Sequence, residues 1–113
     1  MVMIFVSMKQ IPYFGYITTP TQKVARDIAK ALLEKNCIAC ANIMPGAQSM
    51  FWWNGKVHQE KECLLFIKTT SHRVQDVLDE VENVHPYECP CVSFFPIIDG
   101  NADYLEWVCD EVR

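Results

Sequence analysis

Asn54-Gly55 stands between the aromatic run Phe51-Trp52-Trp53 and a segment that leads into the apolar run 63–67, and nothing else in the chain restricts its fold so tightly. A type I′ turn needs positive φ at both central positions, which Asn and Gly tolerate, so residues 48–53 and 56–69 are predicted to pair as a hairpin. Upstream, residues 14–18 read as a strand just after Pro12, where the missing N–H costs no ladder bond. Over residues 21–35, Val24, Ile28 and Leu32 recur every four positions, as do Ala25 and Ala29, which is the spacing of an amphipathic helix. Thr21 can cap its start and Asn36 can close it. Residues 38–44 form a second strand, interrupted at Pro45-Gly46. Ser71 opens another helix through Val74, Val77, Leu78 and Val81, and Pro86 and Pro90 bracket an irregular corner. Residues 91–98 are the last long strand. Asn101 caps a terminal helix that carries Ala102, Leu105, Val108 and Val112.

The order is βαββαβ plus a helix, and 113 residues allow one domain. Right-handed crossovers fold such a chain into an α+β, ferredoxin-like split βαβ sandwich with two helices on one face of an antiparallel sheet. Cys63, Leu65 and Ile67 then point one way and Leu64, Phe66 and Lys68 the other. Only one of these faces can lie under the helices. The open one bears Leu64 and Phe66, an apolar patch that monomers seldom leave wet. The hairpin outreaches the sheet and carries Phe51, Trp52 and Trp53 near its tip, so an oligomer is expected to bury both.

Ten Lys and Arg against fourteen Asp and Glu give a net charge of −4, without the cationic footprint that nucleic-acid binding needs. No apolar run approaches the ~18–20 residues that span a bilayer, and Met1 to Met8 lacks a positive n-region and a small-residue cleavage site. The expectation is a cytoplasmic protein with no membrane and no nucleic-acid partner. Six cysteines, at 37, 40, 63, 89, 91 and 109, sit mostly in apolar runs, as Cys63 and Cys109 do, and read as reduced thiols in place of a disulfide framework.

No Ser-His-Asp order, phosphate-cradling glycine loop or HExxH motif occurs. Cys37-Ile-Ala-Cys40 has CxxC spacing but enters a strand, where thioredoxin chemistry is not expected. A four-thiolate zinc site with Cys89 and Cys91 is disfavoured within one subunit, because strands two and four occupy opposite sheet edges. His85-Pro86-Tyr87 reads either as a rigid corner or as a site, and Lys68 either as a snorkelling edge residue or as an anion contact.

Taken in order, these segments resemble the CutA divalent-cation tolerance proteins. The resemblance lies in Ala39-Cys40-Ala41-Asn42-Ile43-Met44-Pro45-Gly46, then Ser49-x-x-Trp52-Trp53-x-Gly55-Lys56, then Glu62 with Lys68-Thr69-Thr70. His85-Pro86-Tyr87 and Gly100-Asn101 with Tyr104-Leu105-x-Trp107 complete it. It implies a ferredoxin-like domain over residues 13–113, with residues 1–12 as an N-terminal extension. It also implies a tight homotrimer similar to PII signalling proteins, no catalytic activity, and tolerance or binding of copper and other divalent metals. By position, Cys40 and His85 match residues linked to metal binding in that family. Where the family commonly has Glu, this chain has Cys91, and a thiol in place of a carboxylate favours a softer metal.

Three functions follow for testing. The first is a metal site between subunits built by Cys40, His85 and Cys91, with no obligate cofactor and with copper or another divalent or soft metal ion as the ligand. The plainer alternative is that Cys40 is a buried spacer and His85 a turn residue. The second is a PII-like trimer holding a small molecule in intersubunit clefts, with Trp53, Glu62, Lys68 and Tyr87 as contacts. The third, an enzyme using His85, Glu62 and Lys68, lacks a nucleophile beside a base and is not expected.

Overall fold

The computed structural model describes residues 10–113, so most of the segment read as an N-terminal extension lies outside the described residues. Strands β1 (Pro12–Thr19), β2 (Cys40–Trp53), β3 (Lys56–Thr70) and β4 (Val92–Pro96) alternate with helices α1 (Gln22–Glu34), α2 (Val74–Val84) and α3 (Ala102–Glu111). The strands form one antiparallel sheet in the order β2-β3-β1-β4. This is the ferredoxin-like sandwich that the element order predicts.

Each element starts and stops for a local reason. The Thr21 hydroxyl accepts a hydrogen bond from the Val24 N–H at 3.1 Å and so satisfies one orphan donor of α1. Asn36, at φ 57°, turns the chain out of the helix in the left-handed region. Asn54 and Gly55 take φ values of 52° and 76°, as the type I′ hairpin requires.

Three expectations need correcting. Ser71 does not start the second helix, because its hydroxyl instead accepts a bond from the Ile11 N–H at 3.1 Å. A 3-10 turn over Ser71–Arg73 intervenes, and α2 begins at Val74. Asn101 stands at the N-cap of α3, yet its side chain makes no capping bond. The last strand is shorter than expected and ends at Pro96, and Ile98 is 93% exposed.

The core lies between the helices and the face of the sheet carrying Ile17, Cys63, Leu65 and Ile67, packed against Ala25, Ile28, Leu32, Val77 and Val81. Burying each large aliphatic side chain stabilises the fold by about 1.5–3 kcal/mol. Gly15 belongs to this face because a Cβ there would come within 2.6 Å of Ile67 Cγ1. The opposite face stays partly open and carries an aromatic row: Phe14 stacks on Phe66 with centroids 5.5 Å apart, and Tyr16 on Phe66 at 5.7 Å. Helix α3 reaches the far end of this open face, where Tyr104 Oη lies 3.4 Å from Cys40 Sγ. Among the described residues no helix is long and apolar enough to cross a membrane.

Candidate functional site

The expected interruption at Pro45-Gly46 is a β-bulge inside a continuous β2. Met44 pairs with Leu64 and Ala47 with Glu62, so two residues of β2 oppose Cys63 alone, and Gly46 takes φ 88° to permit it. The extra residue inverts the side-chain parity of the arm. Before the bulge Cys40, Asn42 and Met44 share the open face with Leu64 and Phe66. After it Ser49, Phe51 and Trp53 do, opposite Glu60, His58 and Lys56. Without the bulge Trp52 would take the open face in place of Trp53.

The bulge thereby places Trp53 on the same side as Glu62, and the two line a cleft of about 900 Å³ that runs along the arm, with Glu62 at its root and Trp53 beside the turn. Tyr16 and Thr18 from β1 and Tyr87 and Cys91 from the 85–91 corner complete its walls. Tyr87 donates its phenol proton to Glu62 Oε2 at 2.7 Å. Burial first, then that bond and the charges of Glu62 and Glu60, push the Tyr87 phenol well above its ordinary range.

His85 builds this corner without facing an open coordination position. The Tyr87 N–H can only donate, so Nδ1 of His85 is its acceptor at 3.1 Å, and the Thr18 carbonyl can only accept, so Nε2 carries the proton at 2.8 Å. Both nitrogens are occupied, and the ring lies 4.7 Å from that of Tyr87. His85 is thus a positioning residue for Tyr87 within its own chain, and a metal at either nitrogen would have to displace a backbone bond.

The residues expected to hold a metal do not meet within one protomer. Cys40 starts β2 at one edge of the sheet and Cys91 precedes β4 at the other, and both are half-buried. Among the described residues no three His, Cys, Asp or Glu side chains converge as a metal site. Tyr104 sits against Cys40, and burial together with that contact pushes its phenol up to about 12.

Of the four cleft candidates, Glu62 and Tyr87 meet, Trp53 lines the same cleft farther out along the arm, where it pairs with Lys56, and Lys68 lies apart. Six residues along β3 at ~3.4 Å each place Lys68 about 20 Å from Glu62. There its ammonium donates to Asn42 Oδ1 at 2.6 Å. The sequence reading missed Tyr16, Glu60 and His58, although alternation along β1 and β3 places them on the face of Leu64 and Phe66 without any help from the bulge. It also missed Arg73, whose guanidinium donates to the buried Cys37 sulfur at 3.0 Å.

Comparison with known proteins agrees with this architecture. A family described as CutA1 divalent ion tolerance protein matches residues 13–111. The divalent-cation tolerance protein CutA of Thermus thermophilus is 45% identical over 92 residues, covering 81% of this chain and 89% of its own. Its solved structure superposes with a TM-score of 0.89 over 91% of this chain and 100% of that one, at 40% identity. The human protein CutA is 43% identical over 94 residues, or 83% of this chain, which spans only 52% of the human sequence. The solved periplasmic divalent cation tolerance protein CutA of Archaeoglobus fulgidus is 41% identical, with a TM-score of 0.87 over 91% of this chain and 100% of its own.

Proposed function

The chain belongs to the CutA1 divalent ion tolerance family, and on that premise we propose that it is a non-catalytic metal-binding protein that acts as a homotrimer, with copper among its ions. The observation that carries this reading is the placement of two half-buried thiols at opposite sheet edges, Cys40 at the β2 edge and Cys91 at the β4 edge. A ring of copies that sets each β2 edge beside the next β4 edge brings thiols of neighbouring chains together. Two thiolates suit Cu(I) or Zn²⁺ better than Mg²⁺ or Ca²⁺. Cys37, Cys40, Cys63, Cys89 and Cys91 carry no disulfide, which fits a reducing compartment such as the cytoplasm.

Competition titration with a chromophoric Cu(I) chelator tests the site. Cys40→Ala and Cys91→Ala should each weaken Cu(I) binding at least about tenfold while sedimentation shows the assembly intact. If both variants bind as tightly as the parent, these thiols are not the ligands.

A second reading is favoured by the cleft itself: a PII-like trimer that holds a small molecule against Trp53, Glu62 and Tyr87. About 900 Å³ of partly aromatic space suits an organic ligand and far exceeds what a bare ion fills.

A further inference from the structure

The cleft contains a carboxylate whose charge nothing in the described chain balances. Glu62 is 7% exposed, and the partner of its Oε2 is a phenol, which offers a dipole but no positive charge. The ion pairs among the described residues are Lys23–Asp27, Lys35–Glu80 and Arg73–Asp76, and none reaches Glu62. Glu60 and Glu88 line the same space, against a single lysine, Lys61, and no arginine. A carboxylate so far out of water is costly unless a cation comes to it. Burial raises the phenols of both Tyr16 and Tyr87; Cys91 and then Glu62 raise Tyr16 further, and the bond and charge of Glu62 raise Tyr87.

We propose that this cleft binds a small organic cation, with a protonated amine or quaternary ammonium head against Glu62 and a carbon skeleton lying along Tyr16 and Tyr87. The proposal rests on the second reading, in which the cleft is a ligand site, and supplies its ligand class. An organic cation fits better than a metal ion for two reasons. Hard divalent cations need several oxygen ligands at once, whereas among the described residues no three donor side chains of this cleft converge on one point. An ammonium group needs only one carboxylate and the electron-rich faces of aromatic rings, both of which line this space.

The test is a matched pair of probes on the full chain in its native assembly, benzylammonium and the similarly sized but uncharged benzyl alcohol. Backbone amide NMR resonances provide the readout. Benzylammonium should shift the Tyr16 and Tyr87 amide signals saturably, with the alcohol at least about tenfold weaker. Glu62→Gln should abolish that preference. Tyr87→Phe keeps the ring and leaves Glu62 its charge, so it should retain the preference. Equal binding of alcohol and ammonium overturns the cation inference and leaves a ligand cleft standing. Undiminished preference in a folded Glu62→Gln variant also overturns it. Absence of any shift by either probe on the parent protein removes the cleft reading and this inference together. Should Glu62→Gln fail to fold, the matched pair on the parent and on Tyr87→Phe decides the question.

Discussion

At the scale of single residues, the 85–91 corner shows how backbone groups can fix a side chain's chemistry. His85 is tied to the Thr18 carbonyl by one nitrogen and to the Tyr87 N–H by the other, and Tyr87 is thereby set against Glu62. Burial, and then the contact with Glu62, raise the Tyr87 phenol above its ordinary 10.0; burial, and then Cys40, push Tyr104 up to about 12. A folded pKa above the unfolded one favours the phenol form in the native state. The stabilisation is therefore fully present below about pH 10 and is lost as pH rises from there through the folded values. Phenolate absorbance of the native protein should lag behind that of the urea-unfolded chain from about pH 10 upward. Tyr87→Phe should remove one late-ionising group. A native titration that coincides with the unfolded one would contradict the buried bond to Glu62.

At the scale of elements, local signals held wherever a side chain had no better partner at long range. Thr21 caps α1 as its position before the periodic run predicts, and Thr21→Ala should cost about 1 kcal/mol in urea unfolding. A variant of unchanged midpoint would mean that tertiary packing alone sets the start of α1. Ser71 carries the same kind of signal and fails, because the Ile11 N–H claims its hydroxyl across 60 residues of chain. The hairpin was legible from Asn54-Gly55, and the alternation along β3 separates Leu65 and Ile67 in the core from Leu64 and Phe66 on the open face. The bulge was not. Pro45-Gly46 advertises an irregularity, but whether the strand ends there or absorbs an extra residue depends on its pairing with β3.

At the scale of the whole molecule, the arm dominates. The molecule extends 55 Å along its longest axis and only 27 and 24 Å along the others. Trp52 is 74% exposed and Met50 67% at the end of this arm, outside the core. Replacing both, as Met50→Ser with Trp52→Ser, should leave the single-protomer core intact and shift the proposed homotrimer toward smaller species in sedimentation. An unchanged sedimentation profile would place the interface elsewhere.

Periodicity, turn chemistry and caps are properties of neighbouring residues, and they suffice for the βαββαβ order, the core face and the open face. The resemblance carried by Cys40 to Gly46 and by His85 to Tyr87 adds the family. The cleft is different in kind. Glu62 stands where β3 passes from its polar half to its apolar one, but its neighbours come from β1, from the arm beyond the bulge and from the corner after α2. Trp53 shares a face with Glu62 because one extra residue in β2 inverts the parity of everything after it, and Lys68 is excluded because a long strand carries it to the other end of the sheet. Strand register is an agreement between two distant segments. It is settled by the hydrogen-bond ladder and the packing of the buried face, so only the tertiary structure could decide which side chains share the site.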